Sequence, residues 1–287
     1  MAAYYNEIDA KAAAWLRELI KQGHIAQGEV DERSILEVQP GDLAGFTQCH
    51  FFAGIGVWSY ALRRAGWADD RPVWTGSCPC QPFSAAGKGD EFADERHLWP
   101  AWFRLIRECR PIAIFGEQVA SKDALSWLDH VSTDLEAEVY AVGAVDTCAA
   151  GFGAPHIRQR LYFVADSGGR RFWRGHDGGQ PQLSARSVEH GGVGNSNGQQ
   201  RDGAAERAKS SGRPGSSTPG AVNGFWADAE WIPCRDGKAR PTEPGTFPLV
   251  TGAPARLVRL RGYGNSINAS QAQHFIEAYL EITTGGQ

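Results

Sequence analysis

The stretch that most limits what this chain can fold into is Gln48-Cys49-His50-Phe51-Phe52-Ala53-Gly54-Ile55-Gly56. An apolar run that breaks into glycines directly before a helical stretch over 57–65, closed by Gly66, reads as strand, tight turn and helix. Glycines in such a turn let the backbone approach a ligand closely and open the helix behind it. A unit of this kind belongs in a parallel α/β sheet that holds its ligand beyond the strand ends. The chain upstream repeats the alternation. Ala2-Ala3-Tyr4-Tyr5 reads as a short strand ending in Asn6-Glu7-Ile8-Asp9. A helix follows, with Trp15, Leu16, Leu19 and Ile20 at helical spacing and Gly23 as its stop. A brief segment around 25–30 then ends in Gly28-Glu29-Val30-Asp31. An acid at the end of a second strand can accept both ribose hydroxyls of a nucleoside; it equally suits a helix N-terminus, whose dipole favours negative charge.

A second feature carries chemistry. After the apolar run Val73-Trp74-Thr75 comes Ser77-Cys78-Pro79-Cys80-Gln81-Pro82-Phe83-Ser84. Proline at 79 and 82 fixes φ and removes two backbone donors, so the Cys80 thiol is presented on a stiff turn, as a nucleophile requires. A free cysteine can also sit there as a small hydrophobe. Further on, a helix is expected over 99–109, then a buried strand over 112–115 that runs into Gly116-Glu117-Gln118-Val119. A carboxylate at the carboxyl end of an inner strand lies where doubly wound sheets hold ligands. A further strand is expected over 139–145, and His156-Ile157-Arg158-Gln159-Arg160 precedes the strand over 161–164. Arg158 and Arg160, two apart on an extended segment, point to one face, as a solvated edge or as a paired contact to a base and its phosphate.

Composition changes at Asp166. Over 168–223 the chain is mostly Gly, Ser, Gln, Asn and Arg, with eight basic residues against four acidic. Such a stretch cannot pack a core of its own and is expected to be partly flexible. Phe225, Trp226, Trp231 and Phe247 supply anchors for a small irregular lobe, and a last helix is expected over 270–282. The net charge of −4 gives no blanket attraction to nucleic acid, so any such surface is local. The six cysteines show neither a disulfide framework nor a zinc spacing, and no apolar run reaches membrane length. A protein of the reducing cytoplasm, monomeric and without metal or membrane, is the expectation.

Together these pieces resemble the cytosine-C5 DNA methyltransferase family. Phe52-Ala53-Gly54-Ile55-Gly56 resembles its cofactor loop, Pro79-Cys80-Gln81-Pro82-Phe83-Ser84 its nucleophile motif, and Phe115-Gly116-Glu117-Gln118-Val119 its Glu-Asn-Val motif. His156-Ile157-Arg158-Gln159-Arg160 resembles its Gln-x-Arg-x-Arg motif, and Gly264-Asn265-Ser266-Ile267 its last cofactor-side motif. Asn6-Glu7-Ile8-Asp9 and Gly28-Glu29-Val30 resemble the second and third motifs, which in the family follow the first and here precede it. The resemblance therefore implies a Rossmann-like α/β sheet of the S-adenosylmethionine-dependent kind, circularly permuted, and with it an unusual hand for the crossover from the helix after Gly56 to the strand before Cys80. It implies catalysis by Cys80, Glu117, Arg158 and Arg160. Cofactor contacts would come from Glu7 on the ribose, Ile8 on the adenine, Glu29, Val30, Phe52, Gly54, Gly56, Leu98, Asn265 and Ser266. It assigns 1–166 to a catalytic and cofactor-binding domain, 167–252 to target recognition and 253–287 to a segment returning to the catalytic domain. Double-stranded DNA is the implied partner. A cognate restriction enzyme, action on RNA (a tRNA) instead, and a non-catalytic DNA-binding relative stay open. Here Val57 stands where a third glycine is common, Gln118 replaces an Asn and His156 a Gln, and Glu29 an Asp.

Overall fold

A computed structural model of the protein describes residues 2–79, 98–120, 122–152, 154, 158–168, 231–233, 239–241 and 267–284. Cys80, His156, Trp226, Asn265 and Ser266, and nearly all of the region expected to recognise the target, lie outside the described residues.

The chain is a mixed α/β protein built on one seven-stranded sheet. Strand β1 (Ala2–Asn6) leads through helix α1 (Ala10–Lys21) to β2 (Gly28–Asp31). β3 (Phe46–Phe51), α2 (Val57–Arg64), β4 (Val73–Gly76), α3 (Trp99–Cys109) and β5 (Ala113–Val119) follow. Then come α4 (Lys122–Ala137), β6 (Ala141–Cys148) and β7 (Gln159–Asp166). A separate two-stranded ribbon pairs β8 (Trp231–Pro233) with β9 (Ala239–Pro241), and α5 (Ala269–Thr284) closes the described chain. The strand order is β2-β1-β3-β4-β5-β7-β6. The first five strands of that order are parallel and β7 is antiparallel to both of its neighbours.

Local sequence explains most elements. Asp9 caps α1 through Oδ1, which accepts from the amides of Lys11 and Ala12, and Ala13, Leu16, Leu19 and Ile20 form its buried face. Alternation along the inner strands serves two cores. Ala3, Tyr5, Val73, Ala113 and Phe115 join α1, α2 and α5 on one face of the sheet. Tyr4, Cys49, Phe51, Trp74 and Ile114 join α3 and α4 on the other. The sequence expectation for 139–145 is corrected to β6 at 141–148, because Val139 takes a left-handed φ of 65° as the chain leaves α4. α4 itself was not expected from the sequence, although Ala124, Trp127, Val131 and Leu135 recur on one buried face. Among the described residues no helix is long and apolar enough to cross a membrane, and no group of His, Cys, Asp and Glu could hold a metal ion.

The order of the elements has a topological consequence. The unit β1–α1–β2 steps toward one edge of the sheet with its helix on the first face; β4–α3–β5 steps the other way with its helix on the second. Reversing both direction and face preserves the hand. The unit β3–α2–β4 steps in the direction of β4–α3–β5 but keeps its helix on the face of α1. Its hand is therefore opposite to the other two, and crossovers in parallel sheets are right-handed almost without exception. The helix behind the glycine turn packs on the face of α1, and its connection to β4 carries the unusual hand.

His50 sits deep in this framework, 2% exposed, stacked on Tyr5 at 4.8 Å and sharing a 2.8 Å hydrogen bond with Thr75 through Nδ1. Its Nε2 is buried and has no hydrogen-bond partner among the described residues. Burial therefore drives the pKa down to about 3, against a smaller opposing pull from Asp69. The unfolded chain binds this proton below about pH 6.5 and the folded chain does not until about pH 3, so stability is present above that window and lost as pH falls through it. From pH 7 to pH 5 the wild type is expected to lose about 2 kcal/mol more than H50Q, as read from urea midpoints. Equal losses in the two proteins would show that His50 is not held neutral.

Candidate active site

Because β1 to β5 are parallel and β7 runs against them, the carboxyl ends of the former and the amino end of the latter share one edge of the sheet. Glu7, Ile8, the turn 52–56, Ser77, Cys78, Glu117, Gln118, Arg158 and Arg160 all fall on that edge. Leu98, the N-cap of α3, belongs there too by the direction of its helix.

The first half of the site lies where the connections diverge, between β1 and β3. The Ala53 amide donates to the Asn6 carbonyl at 3.0 Å, and the Gly54 amide donates to Glu7 Oε2 at 2.7 Å. Glu7 Oε1 accepts from the Asp9 amide at 2.9 Å, so both carboxylate oxygens are oriented by backbone. Gly54 has φ +55°, and a Cβ built on it would meet nothing within 4 Å. Gly56, at φ +78° as the N-cap of α2, is confined instead, with side chains of Ile25 and Leu16 at 3.1 Å from such a Cβ. Phe52 also takes a positive φ, 51°, and meets Trp102 edge-on at 6.0 Å. Ile8 is 69% exposed beside this turn. An open glycine flanked by a fixed carboxylate and an apolar side chain suits a nucleoside, with hydroxyl donors on one side and a flat base on the other.

Glu29 and Val30 lie within β2, and Glu29 is solvent-exposed opposite Tyr4. The acid at the carboxyl end of that strand is Asp31, level with Asn6, which sequence reasoning had not singled out. Burial alone would raise its pKa, but hydrogen bonds from Arg33 and Tyr4 bring it down to about 2. Arg33 also reaches Asp42 at 3.0 Å, so this corner is braced by charge.

The second half pairs a buried acid with a base. Glu117 faces Tyr162 across the β5–β7 ladder, and Arg160 stands diagonally beyond it on the same face. The Arg160 Nε lies 2.7 Å from Glu117 Oε1, with both side chains largely buried. Burial raises the Glu117 pKa above the ordinary carboxyl range; Arg160, the Ser77 hydroxyl and Arg158 oppose the shift without cancelling it. A carboxyl whose pKa is raised in this way can both keep and give a proton. Gln118 ties the site to the segment before Cys80: its Nε2 donates to the Cys78 carbonyl at 3.0 Å, and its Oε1 accepts from the Val119 amide at 2.8 Å. Cys78 is buried and Pro79 follows it at the surface.

Residues 65–174 match the family described as C-5 cytosine-specific DNA methylase. The chain is 32% identical over 99 residues to the type II methyltransferase M.HhaI of Haemophilus parahaemolyticus, covering 33% of this chain and 30% of that protein. It is 30% identical over 128 residues to the type II methyltransferase M.AquIA of a Picosynechococcus species, covering 40% of this chain and 51% of that one. The matches thus span 30% and 51% of those relatives' own lengths. Among solved structures, a mutant of Spodoptera frugiperda DNMT2 superposes over 57% of this chain and 41% of its own, at 16% identity and a TM-score of 0.40.

Proposed function

We propose that this chain, which carries a C-5 cytosine-specific DNA methylase domain over residues 65–174, is a DNA (cytosine-5-)-methyltransferase acting on a cytosine flipped out of the duplex. One observation carries the reading: a buried Glu117, paired with Arg160, is tied through Gln118 to the segment that leads to Cys80. An acid fixed beside the segment that runs on to a cysteine suits attack on a cytosine ring.

C5 of cytosine is a poor nucleophile until electrons are pushed into the ring. The Cys80 thiolate forms a bond to C6, the C5–C6 π pair shifts into C4–C5, the C4–N3 π pair moves onto N3, and Glu117 delivers its proton to N3. Arg160, with Arg158 in support, steadies O2. The crevice fits S-adenosylmethionine, since the space over Gly54 is open beside the fixed Glu7 carboxylate and the exposed Ile8. When bound, that cofactor supplies the electrophilic methyl group that C5 takes. A base then removes the C5 proton, the S–C6 bonding pair returns to sulfur, and the N3 proton returns to Glu117. Glu7 serves the ribose, Ile8 the adenine face, and Glu29, Val30, Phe52, Gly54, Gly56, Leu98, Asn265 and Ser266 complete the pocket. Residues 1–166 form the catalytic part, 167–252 read the target and 253–287 return to the catalytic sheet. Extruding the base costs a few kcal/mol, as for other enzymes that work on a base inside a duplex.

Duplex DNA carrying 5-fluorocytosine tests this, with S-adenosylmethionine present and matched RNA alongside. Fluorine at C5 blocks the final loss, so the protein is expected to remain covalently attached to DNA, and C80A to form no adduct. An adduct with RNA alone would move the activity to RNA. Cofactor binding without any adduct would make the chain a binder rather than an enzyme.

A further inference from the structure

We infer that Trp58 is a positioning residue for the nucleophile: its indole N–H holds Ser77, and with it the short segment that runs on to Cys80, against the helix behind the glycine turn. The inference rests on the methyltransferase reading for its catalytic consequence and on the hydrogen bond alone for the tie itself.

Trp58 is the second residue of α2, the helix that Gly56 opens as its N-cap. It is buried, with its ring stacked on Phe115 at 6.2 Å and edge-on to Tyr162 at 6.0 Å. Those two residues flank the acid: Phe115 lies two positions before Glu117 on β5, and Tyr162 sits opposite Glu117 across the ladder. The indole Nε1 donates to Ser77 Oγ at 3.2 Å. Ser77 is the first residue after β4 and stands three positions before Cys80. One side chain therefore touches the two strands that carry Glu117 and Arg160 and the segment that leads to the thiol, and it does so from the helix behind the Gly54 turn.

A buried indole nitrogen can only donate, and it needs an acceptor. Trp67 finds one locally, in the Arg71 carbonyl at 3.0 Å, four residues along the same loop. Trp58 instead reaches a side chain nineteen residues away, at the exit of another strand. The next residue of that exit is held as well, since Gln118 Nε2 donates to the Cys78 carbonyl at 3.0 Å. Successive residues are thus tied from both halves of the site, Ser77 to α2 and Cys78 to β5. One tie fixes a point; two ties on adjacent residues also fix a direction. Pro79, whose ring sets its φ, passes that direction on toward Cys80. A thiolate that must reach C6 depends on such placement, because a misplacement of about 1 Å can slow a reaction by about 10²-fold.

The test uses the full chain as W58F, S77A, S77T and the double variant W58F/S77A, labelled with 15N at the tryptophan indoles. Trp58 is identified as the indole resonance that W58F lacks. Its proton is expected to exchange with solvent about 2–10-fold faster in S77A than in the wild type, the worth of one hydrogen bond, and at the wild-type rate in S77T, which keeps the acceptor. Adduct formation with 5-fluorocytosine DNA at saturating S-adenosylmethionine is expected to slow about tenfold in W58F and in S77A, and no further in the double variant, because either change removes the same tie. The dissociation constant of S-adenosylmethionine should stay within about twofold of wild type in S77A, so that the loss falls on rate and not on cofactor binding. General damage to the core would weaken both and leave the pair additive. Unchanged indole exchange in S77A, additive losses of rate, or a loss confined to cofactor affinity overturns the inference. A wild type that forms no adduct would overturn the methyltransferase reading instead, and the indole exchange would still decide the tie.

Discussion

Glutamine in place of Glu117 is expected to slow methyl transfer by about 10²–10⁴-fold, the usual worth of a positioned general acid. The substitution keeps the shape of the side chain and an oxygen that can accept from Arg160 Nε, now 2.7 Å from the carboxylate. It removes only the ability to hand over a proton. Cofactor affinity is expected to stay unchanged, since Glu7 and the open Gly54 turn lie at the other half of the site, between β1 and β3. The pH dependence separates this from general damage. On the proposed mechanism the rate needs protonated Glu117, so it is expected to fall as pH rises through the raised pKa; in E117Q that fall should vanish. Stability gives a second reading with its own sign. A carboxyl whose folded pKa lies above its ordinary 4.5 binds more protons folded than unfolded between those two values. Wild-type stability therefore declines as pH rises through that window, and E117Q lacks the decline. A rate within tenfold of wild type would remove Glu117 from the chemistry.

The parts of this site that were legible in the sequence are local. Phe52 to Gly56 announces itself because a strand end, a glycine turn and a helix start are contiguous, while the Cys80 loop lies outside the described residues. Glu117 was legible because it follows an apolar strand directly. What the sequence concealed depends on pairing between distant segments. That Asp31, rather than Glu29, ends β2 follows from the register that sets Asp31 against Asn6. The Glu117–Arg160 pair exists because β7 inserts antiparallel between β5 and β6, a choice no short window records. Ser77 looks like any loop serine until α2 brings the Trp58 indole to it. The α4 helix was concealed for a different reason. Its apolar positions Ala124, Trp127, Val131 and Leu135 are sparse among Ser126, Asp129, Ser132, Thr133 and Asp134, residues that favour caps and turns. The hand of β3–α2–β4 was foreseeable from the order of the motifs, but which element would give way was not. The apolar stripe of α2 decided it, by packing Val57, Trp58, Ala61 and Leu62 into the core shared with α1 and α5.

Alanine at Gly116 is expected to cost about 3 kcal/mol. Gly116 lies directly opposite Phe163 across the β5–β7 ladder, and the phenyl ring folds over it. A Cβ there would fall 2.0 Å from Phe163 Cε1 and 2.1 Å from Cζ, well inside contact distance. The ring has no room to withdraw, because Phe163 is 1% exposed and packs on Trp127 at 6.1 Å. Either β5 or β7 must move, and those two strands carry Glu117 and Arg160 on the face opposite the clash. For a chain of this size the cost corresponds to a fall in melting temperature of about 6–12 °C. Shrinking the ring identifies the cause: in a double-mutant cycle, G116A combined with F163L should be less destabilised than the sum of the two single changes, by about 1–3 kcal/mol. Strict additivity would place the strain elsewhere. If the coupling is found, the same double variant should also recover part of the methyl transfer that G116A loses, because the glycine's role is to let the aromatic ring lie flat on β5 and so keep the Glu117 carboxylate level with Arg160.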